Sequence, residues 1–319
     1  MIHSACPIFT VRSKECFMAK KKGVTTNLAG KSAKHKNHTV PKGLLKRWLA
    51  ENEGKKGYWV LDCNSGTVQF RKGENASFAI KEFRYVPVRY TKEGTAYRDE
   101  WLEDWFSQGE SDLAAVTDQI LKGQYDAIKD KARDSFIGAA IMLGFRSAYE
   151  FSCLETLIRE ENPDCSDESI GRQVVDHFRS LHATKIQQFE SWSFTLHGPT
   201  KEPLLIGDRP LFDMTLTASN QQGVYIPLTP EILLVGRPSN DPNFSKNKRI
   251  TSIESVSQEL TPIANNMTVE RARQFIVGKK EQLLALRPRF IQQTFAERKS
   301  QDSFVVLSNG EQSGRGLLV

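Results

Sequence analysis

His38 lies in the stretch KHKNHTVPKGLLKRWL, residues 34 to 49, two positions ahead of Val40-Pro41. A histidine so placed can act as general base in a metal-dependent nuclease. That chemistry also needs an asparagine and a metal-binding histidine on one compact ββα unit, because a single ion must touch both ends of it. Asn64 falls at a suitable distance, but the next histidine after His38 is His177. His35 stands three residues before His38 in a basic loop without a carboxylate, which is weak spacing for a metal pair. The other reading of His38 is a packed turn histidine that hydrogen-bonds the backbone near Pro41.

Asp208 is the strongest carboxylate candidate. It sits in Gly207-Asp208-Arg209-Pro210, directly after the short apolar run Pro203-Leu-Leu-Ile206. Pro210 pushes Arg209 away from helical geometry and so sets the direction of the turn. An aspartate at the mouth of a strand can hold a metal, act as a base, or accept N–H bonds that tie the loop. His38 and Asp208 are therefore the expected catalytic pair. A divalent metal, of unknown identity, is the cofactor such a pair would use. Lys36 and Lys42 flank His38, Arg209 follows Asp208, and Asn265 and Arg273 share one helical segment. These five are the side chains expected to hold a substrate, their cations and amide suiting a phosphate.

Other patterns carry less. His177 and His182 are five apart and do not share the single helix face that an H-E-x-x-H zinc site requires. Pro227-Leu-Thr-Pro230 places rigid prolines around a hydroxyl that can cap the next segment, a structural role. The sequence contains no Gly-rich phosphate loop, no G-x-S-x-G elbow and no kinase signature.

Charge is unevenly spread. Residues 1 to 57 hold thirteen Lys or Arg against three Glu, a net +10, which leaves −4 for the remainder of a chain whose total is +6. A basic arm of this kind suits contacts with phosphates, each salt-sensitive through counterion release. Nucleic acid is the partner it fits, and a solvated arm without a fixed partner is the alternative. The five cysteines form no C-x-x-C pair, which reads as reduced thiols in a cytoplasmic protein. The longest apolar run, Phe136 to Phe145, has ten residues where a membrane span needs about twenty. No membrane association is expected. Met18-Ala-Lys-Lys-Lys reads as the natural start, with residues 1 to 17 an upstream extension.

The elements that must position these groups follow from periodicity. Residues 1 to 33 read as a basic disordered arm, residues 34 to 300 as one domain, and residues 301 to 319 as a polar tail. Leu44, Leu45, Trp48 and Leu49 line one face of a short helix, with Pro41 suited to its first turn. Tyr58 to Asp62 and Thr67 to Arg71 flank a turn and read as a β-hairpin. Helical spacing covers 97 to 107, 111 to 128 and 130 to 160. Ser166 is the expected cap of a helix reaching about Phe189. Strand patterns return at 193 to 197, 203 to 206, 223 to 228 and 232 to 235, before helices over about 254 to 275 and 279 to 297. Strands, then helices, then strands and helices argue for an α+β protein.

In this order, the motifs resemble a bacterial domain-of-unknown-function family, the one numbered 4238. His38-x-Val40-Pro41-x-x-x-Leu45 is similar to its H-x-V-P-x-x-x-L opening. Trp192, the Gly207 to Pro210 turn, Pro227 to Pro230 and Ala272-Arg273 are similar to its later motifs. The chain departs from it in having Asn37 before His38 and Gly-Asp-Arg-Pro where the family has Ser-Asp-Asn-Pro. The resemblance implies an α+β protein in which the polar motifs around His38 and Asp208 converge, and it implies no reaction. Two functions remain open at this point: a metal-assisted nuclease-like effector, and a non-catalytic module binding nucleic acid or a protein partner.

Overall fold

The computed structural model describes residues 36–82, 86–124, 128, 130–144, 146–189, 192–216, 221–239, 250–254 and 260–292. The expected arm at 1 to 33 and tail at 301 to 319 lie outside the described residues. The architecture is α+β, as the order of patterns predicts. It opens with β1 (Lys36–His38), α1 (Lys42–Leu45), β2 (Ala50–Asn52), β3 (Lys55–Asp62) and β4 (Val68–Lys72). Pro41, with φ near −51°, stands at the cap of α1, and its carbonyl accepts the N–H groups of Leu44 and Leu45. The helix buries Leu44 and Leu45, and a 3-10 turn carries Trp48 inward. The indole N–H of Trp48 donates to the Leu204 carbonyl at 2.8 Å and fastens this opening stretch to the segment ahead of Asp208.

β3 and β4 form the expected hairpin, Tyr58 opposite Arg71 and Leu61 opposite Val68. Asp62 Oδ1 accepts the N–H groups of Asn64 and Ser65 and so shapes the turn, which Gly66 completes at a φ of 65°. Alternation gives the hairpin two faces. Trp59 and Val68 pack toward the last helix, and Val60, Gln69 and Arg71 lie on the other side. β5 (Ile80–Glu82) pairs with β1, and β6 (Val88–Tyr90) with β7 (Ala96–Arg98).

Four helices fill the middle: α2 (Trp101–Leu121), α3 (Asp130–Met142), α4 (Ala148–Glu161) and α5 (Asp167–Phe189). The expected break between 107 and 111 is absent. Gly109 continues α2 because it faces Met142, where a Cβ would stand 2.9 Å from the sulfur. The expected helix over 130 to 160 is two helices. Gly144 ends the first, as a residue poor in helix propensity does, and the Ser147 hydroxyl caps the second by accepting the N–H of Glu150 at 3.1 Å. The Ser166 hydroxyl accepts the N–H of Ser169 ahead of α5, as expected of a cap.

The second strand group is β8 (Trp192–His197), β9 (Ile206–Gly207), β10 (Phe212–Leu216), β11 (Gln221–Thr229), β12 (Ile232–Pro238) and β13 (Ile250–Glu254). Five of these form one sheet in the order β10-β11-β12-β8-β13. The chain continues through α6 (Leu260–Arg271), β14 (Phe275–Val277) and α7 (Lys280–Gln292). The helix expected over 254 to 275 is thus corrected at both ends. Glu254 belongs to a strand parallel to β8, and Phe275, Ile276 and Val277 form a fully buried strand. β14 lies between β3 and β9, Phe275 opposite Asp62 and Ile276 opposite Gly207. Pairing on both edges outweighs local helical spacing. This insertion brings the Gly207 to Pro210 turn beside the hairpin.

The main core joins β3, the helices α2 to α5 and the large sheet, and smaller clusters lie under α7 and α6. Among the described residues no helix is long and apolar enough to cross a membrane. Cys63 and Cys153 are not in disulfides, whereas Cys165 is disulfide-bonded, a correction to the reading of all five as thiols.

Candidate functional site

β9 delivers Asp208 into the interior, 1% exposed. Gly207 lets this happen, because a Cβ there would press to 3.2 Å on that of Ala272. Asp208 Oδ1 accepts the main-chain N–H of Arg273 at 2.9 Å and of Gln274 at 3.2 Å. Its other oxygen has no hydrogen-bond partner among the described residues. Burial pushes the carboxyl above its ordinary range, opposed by those two N–H groups and by the charge of Arg209.

Two guanidiniums converge next to it. Arg209 Nη2 meets Glu150 Oε1 at 2.5 Å, with both residues buried. The Arg209 and Arg273 guanidiniums lie 4.9 and 5.5 Å from the centroid of one ring, that of Tyr149. Burial and the neighbouring Arg209 charge lower the Arg273 pKa. Burial and a hydrogen bond with Cys153 raise that of Tyr149. Tyr149 and Glu150 were missed by sequence reasoning. Ser147-x-x-Glu150 has the pattern of a capping box, and the glutamate carboxylate here meets an arginine from a distant turn.

His38 sits in a second group. Its Nε2 lies 3.1 Å from the Asn75 carbonyl, which can only accept, so Nε2 carries the proton and neutral His38 keeps its lone pair on Nδ1. Lys42 donates to the Asn75 side chain at 2.7 Å, and Lys36 stands exposed on β1 opposite Glu82. The backbone partner of His38 is thus Asn75, distant from Pro41 in sequence and held beside it in space by the bond from Lys42. No hydrogen bond or ion pair joins His38 to Asp208 among the described residues. A longer route does connect the two groups. Arg146 Nε donates to the His38 carbonyl at 2.6 Å, and Arg146 leads into α4, whose first turn holds Glu150 against Arg209.

Asn265 stands apart from both groups. Its amide oxygen accepts the N–H of Leu205 at 2.8 Å and its nitrogen donates to the Pro203 carbonyl at 3.1 Å, bracing the approach to β9.

A cleft of about 300 Å³ opens on the Val60 face of the hairpin. Val60, Phe78 and Phe275 supply its apolar lining, and Asp62, Asn64, Gln69 and Gln274 its polar wall. Arg71 and Lys81 are exposed at it, and among the described residues neither forms an ion pair. Gln274 belongs both to this wall and to the Asp208 anchor. Arg71, Lys81, Gln69 and Gln274 also escaped sequence reasoning. The alternation Gln69-Phe70-Arg71 is the signal, since it turns two polar side chains toward a face that β3 lines with Tyr58 and Val60.

Among the described residues no three His, Cys, Asp or Glu side chains gather as a metal site requires. The unpartnered oxygen of Asp208 lies in the field of Arg209, which disfavours a divalent cation. These residues do not fit a metal at Asp208.

The family model described as "Protein of unknown function (DUF4238)" matches residues 36–282. The chain belongs to that family. The matched span opens at β1 and closes inside α7, so both groups and the cleft are parts of the DUF4238 region. Neither the curated proteins nor the solved structures contain a match to this chain.

Proposed function

We propose that this DUF4238 protein is a bacterial module that binds nucleic acid through the polar cleft and the basic residues around it. One observation carries the reading: the exposed Arg71 and Lys81 line one concave site and outnumber its single carboxylate, Asp62. An excess of cations at a cleft concentrates an anionic ligand there. The +10 segment of residues 1 to 57 supports it, and Lys36 and Lys42 extend the basic surface beside β1.

A second reading, cleavage of the bound strand, is favoured by the tautomer of His38. Its Nε2–H is occupied by Asn75, which leaves Nδ1 as a base. His38 would then take the proton of the attacking water or hydroxyl, and Asp208 would position the Gln274 wall of the cleft through its bond to that residue's N–H. The full chain incubated with labelled single- and double-stranded RNA and DNA, with and without Mg²⁺, Mn²⁺ or Zn²⁺, separates the two. Retention without cleavage supports the module. Cleavage abolished in both His38→Ala and Asp208→Ala, with folding intact, supports the nuclease. No retention of any of these nucleic acids rejects both.

A further inference from the structure

We infer that the cleft receives one unpaired nucleotide, its base against Phe78 and its phosphate at Arg71 and Lys81, so that the protein prefers single strands to duplex. This rests on the nucleic-acid reading above and assigns it a site. A cavity of about 300 Å³ is at the small end of ligand sites. It is concave, whereas a duplex presents a convex backbone and keeps its bases stacked inside.

The lining has the chemistry of an unpaired base. Phe78 is half-buried and makes no parallel stack with its ring neighbours. Tyr58 and Phe275 hold it at interplanar angles of 74° and 80°. Base stacking on a positioned aromatic ring is tolerant of sequence and contributes about 1–3 kcal/mol per base. Gln69 and Gln274 line the same space with side-chain amides that make no hydrogen bond within the described protein. An amide offers both donors and an acceptor, which match the Watson–Crick edge that an unpaired base leaves open. Asp62 adds an acceptor, since Oδ1 serves the hairpin turn and Oδ2 remains available. A carboxylate oxygen there favours a base with an exocyclic amine, as in cytosine, over uracil.

The test is fluorescence anisotropy on the full chain with labelled oligocytidine, oligouridine and a duplex of equal length, and with cytidine monophosphate as competitor. The expected result is single-strand binding at least about tenfold tighter than duplex binding. Oligocytidine should bind more tightly than oligouridine, and Asp62→Asn should erase that difference. Phe78→Leu keeps an apolar side chain and removes the ring. It should lower single-strand affinity about tenfold and leave duplex affinity unchanged. Gln69→Ala, a partly exposed position, provides the same test if Phe78→Leu misfolds. Displacement by the monophosphate at the oligonucleotide's own concentration would keep the site and make the free nucleotide its source. Equal affinity for single strand and duplex, unaffected by the cleft variants, overturns the inference and leaves the nucleic-acid reading standing. Absence of binding to every probe overturns that reading as well.

Discussion

The carboxylate of Asp208 accepts the main-chain N–H of Gln274 at 3.2 Å, and Gln274 also lines the polar cleft. One buried side chain thus sets where one wall of an exposed site stands. Asp208→Ala should leave the N–H groups of Arg273 and Gln274 without an acceptor, a loss of about 2–6 kcal/mol at about 1–3 for each buried donor. Asp208→Asn keeps an acceptor oxygen and should cost far less. Urea unfolding followed by tryptophan fluorescence measures both.

The same residue makes a prediction about pH. Burial raises the carboxyl pKa of folded Asp208, so the native state holds this proton more tightly than the unfolded chain does. Its contribution to stability is then full below the unfolded carboxylate pKa and is lost as pH rises through the folded value. The Asn variant has no such proton. Wild-type protein should therefore lose more stability than Asp208→Asn between acid and alkaline pH, as read from urea midpoints across that range.

Glu150 and Arg209 form an ion pair with side chains 3% and 4% exposed. Removing one partner of a buried pair strands the other charge, so Glu150→Ala should cost about 3–5 kcal/mol. Adding Arg209→Met removes the stranded charge and should recover part of that loss. A double-mutant cycle in thermal unfolding checks the coupling.

Gly57 tests the backbone geometry under the cleft. A Cβ there would stand 2.3 Å from the Arg71 carbonyl oxygen, and main-chain atoms of a paired strand cannot swing aside. Gly57→Ala should destabilise by about 1–3 kcal/mol and weaken ligand binding by shifting β4. Gly43→Ala is the control, because its Cβ would meet Ala114 at an ordinary 3.5 Å on a helix. Thermal midpoints of the two variants should separate clearly.

The hairpin, the helix after Ser166 and the turn at Asp208 were legible in the sequence because each depends on neighbours within a few residues. Tyr58 to Asp62 and Thr67 to Arg71 alternate around a turn, and Gly-Asp-Arg-Pro can only be a bend. β14 was not legible. Phe275, Ile276 and Val277 become a strand because β3 and β9 bind both edges, and β3 lies some two hundred residues earlier in the chain. Tyr149 and Glu150 were hidden inside an apparently continuous helix that in fact restarts at Ser147. Arg71 and Lys81 read as ordinary strand charges until the fold set them on one cleft with Gln274. Spacing identified residues capable of chemistry, and only pairing across the chain showed which of them meet.

The measurement that bears most directly on the central claim is the salt dependence of single-strand binding by wild type, Arg71→Ala and Lys81→Ala. Each phosphate contact releases counterions, so each substitution should lower the slope of log affinity against log salt by about 0.7 on a single strand and weaken binding at low salt. Identical slopes and affinities in all three proteins would contradict the account and place any nucleic-acid contact elsewhere.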